Sequence, residues 1–120
     1  MPRQALQPEG VKKPSAPYSS VVVSGDMVWT AGQISREGGD IGAQTRQALA
    51  SIRKCLEAAG CTMDDVVKVN AFLADLGDFD GYNAVYREFF TEPYPARTSV
   101  GAALPPGVLV EIEAVARRPA

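Results

Sequence analysis

Residues 93–118 read PYPARTSVGAALPPGVLVEIEAVARR, and their reading decides the fold. Arg97 follows Pro95-Ala96, where a loop hands over to extended chain. A first strand is expected over about 97–103 and a second over about 108–117, joined across Pro105-Pro106-Gly107. In the second strand Val108, Val110, Ile112 and Ala114 alternate with Leu109, Glu111, Glu113 and Val115. One face is therefore apolar and the other mixed. A simple hairpin across the prolines would pair Ala103 with Val108 and set Glu111 opposite Val100, pointing away from the Arg97 side. A bulge, a non-adjacent strand order or a site shared between subunits would bring the two together.

Working outward, DFDGYNAVYREFF (78–90) spaces Phe79, Tyr82, Tyr86, Phe89 and Phe90 along one side, as a helix does, with Asp78 placed to cap it. VVKVNAFLADL (66–76) is β-rich, with Val67, Val69, Ala71 and Leu73 on one face and Val66, Phe72 and Ala74 on the other. Between about Asp40 and Ala59, Ala48, Leu49, Ile52, Leu56 and Ala59 follow helical spacing, and Gly60 is the expected terminator. SSVVVSGDMVWTAGQI (19–34) reads as two strands around Ser24-Gly25-Asp26. Residues 1–17 read as an extended arm.

The pattern ββαβαββ predicts a single α+β domain over residues 1–120, one sheet with two helices on one face. Two helices cover only one face. Leu109, Val115 and further apolar residues on the other would stay wet in a monomer, so that face predicts oligomerisation.

Composition excludes several classes. The apolar share of 46% argues against disorder. A net charge of -2, with no basic cluster larger than Lys12-Lys13 or Arg117-Arg118, argues against a nucleic-acid surface. No apolar run is long enough for a membrane span, and the N-terminus has no apolar core of a secretory signal, so a cytoplasmic location is expected. Cys55 and Cys61 fit neither a disulfide framework nor a zinc spacing and read as buried free thiols. There is no histidine, which removes Ser-His and Cys-His nucleophile pairs and the usual zinc ligands.

Catalysis would therefore fall to carboxylates, Arg, hydroxyls, backbone amides or a cofactor. Arg97 can offer a planar two-donor fork to a carboxylate; as an isolated arginine it could equally be an exposed strand end. Glu111 and Glu113 share a face. If a partner covered that face, both could not ionise cheaply, and one would keep a raised pKa suited to proton transfer. Uncovered, they would be an ordinary solvated strand face.

The motifs APYSSVV (16–22), TAGQI (30–34), AGCTMDDVVKVNAFLADLGDFDGYNAVYREFF (59–90), YPARTSV (94–100) and VEIEAVA (110–116) occur in this order. Together, from Pro17 to Arg118, they resemble the Rid (YjgF-like) family of imine/enamine deaminases. The resemblance implies a chorismate-mutase-like fold, a homotrimer whose sheets form a central barrel, and clefts between subunits. It implies hydrolysis of carboxylated imines and enamines of 2-amino acids to 2-keto acid and ammonia, with no metal and no organic cofactor. By position, Arg97 would hold the substrate carboxylate and Glu111 would position or activate water. Tyr18 and Asn83 would line the cleft, and Gly32 would bring its backbone near the ligand. Backbone N–H groups near Ser99 could polarise developing charge. Ala31 and Ser35 stand where the family carries serine and proline, and Ser99 stands in place of a characteristic cysteine.

Alternatives on the same fold are deamination of an amino-dienoate and non-catalytic binding of a 2-keto acid, as a sensor or holdase would do. A nuclease role, claimed for some relatives, fits poorly with the absence of a basic stripe and of histidine.

Overall fold

Each helix is delimited by short-range chemistry. In the computed structural model, which describes residues 2–120, Asp40 caps the first helix: its Oδ1 accepts from the Ala43 N–H at 2.9 Å. Helix α1 spans Ile41–Ala58. It ends where the Gly60 N–H bonds the Glu57 carbonyl at 3.1 Å and the Cys61 N–H bonds the Leu56 carbonyl at 2.9 Å. That double closure needs a left-handed residue at Gly60, whose φ is +82°. Helix α2, Phe79–Phe89, starts differently from the sequence expectation. Asp78 stands at the N-cap but makes no side-chain capping bond; Asp75 instead caps the preceding 3-10 turn through Gly77 N at 2.8 Å.

The strands are β1 Gln4–Leu6, β2 Val21–Ser24, β3 Met27–Thr30, β4 Val66–Leu73, β5 Ala96–Gly101 and β6 Val110–Arg117. β1 lies within the expected arm and adds an edge to the sheet. The order is β1-β2-β3-β6-β4-β5, so β5 and β6 do not form a hairpin. β4 lies between them, parallel to β5 and antiparallel to β6. Helix α2 is the crossover that a parallel β4–β5 pair requires.

The proline segment wraps the end of β4. The Ala102 N–H bonds the Leu73 carbonyl at 2.9 Å, and the Ala74 N–H bonds the Leu109 carbonyl at 3.0 Å. Gln44 of α1 pins this crossing. Its Nε2 donates to the Gly39 and Gly107 carbonyls, both at 3.0 Å, and its Oε1 accepts from the Leu109 N–H at 2.9 Å. A buried amide needs such saturation.

The core lies between the helices and one face of the sheet, with Leu49, Ile52, Leu56, Val69, Leu73, Tyr82, Val110 and Ile112 fully buried. A shift of register between Val66 and Lys68 corrects the sequence assignment on β4. Val66 joins the buried set with Val69, Ala71 and Leu73, while Val67 is exposed. A bulge resets side-chain parity, which strict alternation cannot foresee. Cys55 and Cys61 are free and buried. Burial pushes the Cys55 thiol up to about 11 and raises that of Cys61, where Asp65 adds to the effect. Neither is a ready thiolate.

The open face of the sheet carries Val22, Trp29 and Val115 in one cross-strand row and Val100, Phe72 and Glu111 in another. Trp29 is 47% exposed and Val100 42%, so among the described residues no element covers this face. Among the described residues no helix is long and apolar enough to cross a membrane.

Candidate active site

Arg97 and Glu111 lie on opposite faces of one sheet. On β5, Arg97 is in register with Val69 and Ser99 with Ala71, and those β4 neighbours are buried under the helices. Side chains in register share a face, so Arg97 and Ser99 point to the helix side, at the sheet edge. There α2 receives the arginine. Its Nη1 donates to Asn83 Oδ1 at 2.7 Å. Its guanidinium carbon lies 4.7 Å from the Tyr86 ring centre, 5.2 Å from Tyr82 and 5.6 Å from Phe79. Three ring faces and one amide hold the fork while most of its donors stay free. Ser99 supports the cage from below, its Oγ 3.0 Å from the Tyr82 hydroxyl.

A cavity of about 230 Å³ opens here, lined by Asn83, Tyr86, Arg87, Tyr94, Pro95 and Arg97. The Tyr86 hydroxyl is pushed up to about 12, mainly by burial and also by Tyr82, against the opposing pull of Arg97. It stays a neutral donor. β5 is the edge strand, so part of its backbone N–H and C=O row has no ladder partner.

On the opposite face, Glu111 is in register with Phe72. The chain leaving β3 runs alongside β6: the Gln33 N–H bonds the Ile112 carbonyl at 2.8 Å, and the Ile112 N–H bonds the Gln33 carbonyl at 3.0 Å. This bridge lays Gly32 directly against Glu111. A Cβ on Gly32 would collide with Glu111 Oε2 and stand 2.8 Å from its Cδ and 2.9 Å from its Cγ. Tyr18, Ala31, Gly32, Ile34, Arg36 and Glu111 line a second cavity of about 410 Å³. The Glu111 carboxyl is raised above the ordinary glutamate range, first by burial and then by the neighbouring charge of Glu113. Glu113 itself accepts from Asn70 Nδ2 at 3.2 Å.

Gly32→Ala is expected to leave the fold intact, because the clashing atoms, from Cγ to the carboxylate, all belong to the one Glu111 side chain, which a change of rotamer carries away. It should remove the function of Glu111 all the same. Thermal unfolding within about 1 kcal/mol of wild type, with activity reduced at least as far as in Glu111→Gln, is the expected pair of results. Full activity in the alanine variant would mean that the position of Glu111 is immaterial.

The six residues singled out from the sequence thus fall into two groups. Tyr18, Gly32 and Glu111 share one cavity. Asn83 and Arg97 line the other, with Ser99 tied to its aromatic wall through Tyr82. β4 separates them: two strand spacings are about 10 Å, and the side chains diverge from there. The hairpin register of the sequence reading placed Glu111 opposite Val100; both instead flank Phe72. The cage residues Phe79, Tyr82 and Tyr86 read from sequence only as a helical apolar face. Their spacing around Asn83, at i−4, i−1 and i+3, was the available signal. Ser35, which departs from the family proline, is buried, its hydroxyl 3.3 Å from both the Gly38 carbonyl and Gln47 Oε1.

A sequence model of the family described as endoribonuclease L-PSP matches residues 10–118. The chain belongs to that family. A RutC family protein of Pyrococcus horikoshii is 43% identical over 122 residues, covering 95% of this chain and 97% of its own. A Salmonella typhimurium protein named 2-iminobutanoate/2-iminopropanoate deaminase is 44% identical over 112 residues, covering 85% and 88%. The solved structure of the Escherichia coli YjgF gene product superposes with a TM-score of 0.89 at 39% identity, covering 97% of this chain and 99% of that one. These names are those of the Rid family to which the motifs pointed.

Proposed function

We propose that the chain is a hydrolytic deaminase of carboxylated imines and enamines derived from 2-amino acids, and that it works as a homotrimer in the cytoplasm. One observation carries the reading. An arginine held ready for a carboxylate and a glutamate with a raised pKa occupy separate cavities on opposite faces of one sheet. Joining the exposed open face of one copy to the β5 edge of another would bring them to one cleft.

The chemistry then follows from these side chains. Arg97 and Asn83 hold the substrate carboxylate. Glu111 takes a proton from water as the oxygen bonds to the imine carbon, and the C=N electron pair moves to nitrogen. Glu111 returns that proton to nitrogen, giving a carbinolamine. The hydroxyl proton then passes through Glu111 to nitrogen, the C–N bond breaks, and ammonia and the 2-keto acid leave. A carboxyl poised above the usual range suits both directions of transfer. Backbone N–H groups at the β5 edge could stabilise negative charge developing at the reacting centre.

Screening amino-acid imines generated in situ, with ammonia release as readout, tests the activity. Rates no faster than buffer for every imine would leave the amino-dienoate alternative, and calorimetric binding of a 2-keto acid without rate enhancement would favour the binding-only one. For the assembly, multi-angle light scattering should give three times the monomer mass, because the face bearing Trp29, Val100 and Val115 requires cover. A stable monomer at micromolar concentration would sink both trimer and shared cleft.

A further inference from the structure

The cavity lined by Arg97 is lined by a second arginine, Arg87, on the exposed side of α2. Asn83 and Arg87 are one turn apart on α2, so their backbones are about 6 Å apart along the helix axis. Asn83 anchors Arg97, which places Arg87 one turn beyond the expected carboxylate anchor. No acidic residue lines this cavity. Among the described residues, neither arginine makes a salt bridge; the two pairs formed are Arg46 with Glu88 and Arg117 with Asp26. The same wall holds Tyr86, 5% exposed, whose buried hydroxyl has no hydrogen-bond partner.

Two arginines without an ion-pair partner, lining one cavity that has no acidic wall, form a receptor for two anionic groups on one small molecule. Resting on the deaminase reading, we infer that the site is built for imines of dicarboxylic amino acids. Arg97 takes the carboxylate next to the imine carbon and Arg87 the carboxylate of the side chain. Arg87 is a specificity residue; it has no part in the proton transfers. Tyr94, half exposed, lines the same cavity.

The test compares the imine of glutamate with the imine of leucine, each made in situ by an amino-acid oxidase. The quantity read is the ratio of their kcat/KM values. Wild type should favour the glutamate imine. Arg87→Gln should lower the ratio by about five- to thirtyfold, Arg87→Lys should recover part of it, and Arg87→Glu should lower it further. Circular dichroism checks the fold of each variant. A wild-type ratio at or below one, or a ratio unmoved by Arg87→Gln and Arg87→Glu, overturns the assignment while leaving the deaminase reading standing. A wild type that accelerates neither imine overturns the deaminase reading and this inference with it.

Discussion

Arg97→Ala is expected to lower kcat/KM on carboxylated imines by about 30- to several-thousand-fold, the equivalent of roughly 2–5 kcal/mol. The size follows from the setting. Arg97 is part-buried, its guanidinium gives one donor to Asn83 and is walled by three aromatic rings, so its contact with a carboxylate is partly shielded from water. Arg97→Lys should recover only a part, because a single ammonium lacks the two-donor fork and stacks less well on Tyr82 and Tyr86. The cage also predicts that the alanine variant stays folded: Phe79, Tyr82 and Tyr86 pack on one another along α2 without the arginine. An unchanged kcat/KM in folded Arg97→Ala would reduce the arginine to an edge-strand residue.

Glu111→Gln should lower kcat by about 100- to 10,000-fold while binding of a 2-keto acid is retained. The amide keeps the shape beside Gly32 and removes the base. The pH dependence separates this from a packing effect. The folded-state pKa of Glu111 is raised, so the basic form appears only above the usual glutamate range. Wild-type activity should therefore fall on an acid limb displaced upward from that range, and the glutamine variant should lack the limb. The stability linkage has the opposite sense. A raised carboxyl favours the fold while it is protonated, and that contribution fades as pH rises through the folded-state pKa. An acid limb that survives in Glu111→Gln would assign the base to another group.

Much of this was legible in the chain. The helical spacing from Ala48 to Ala59 has a single period and appears as read, while the alternation expected from Val108 holds from Val110 onward, Val108 and Leu109 lying before the strand. The uncovered sheet face was legible too, since two helices cannot blanket both sides. Strand order was not. The prolines at 105 and 106 suggest a tight turn locally, but they cross over the end of β4, held by Gln44 from 63 and 65 residues away. Nothing local encodes that bond. The bulge at Val66 was hidden for a similar reason, because three consecutive apolar or amphipathic residues fit either parity. Family motifs supplied Arg97, Glu111, Tyr18, Asn83 and Gly32 as separate letters. Their division into two cavities depends on which side of β4 each strand lies, which is a long-range property. Arg87 lies within the 59–90 motif but has no role there, and becomes visible only as a second arginine in a cavity without acids.

The division of Arg97 and Glu111 between the two faces has a genetic consequence. In a shared cleft, an Arg97→Ala chain is defective only where it gives the arginine, and a Glu111→Gln chain only where it gives the carboxylate. Two dead proteins, unfolded and refolded together, would then complement. Around a closed ring of three, every mixed assembly contains one boundary at which an intact arginine meets an intact glutamate. A single polypeptide carrying both substitutions would rescue nothing, and it would poison the wild-type rings it joined.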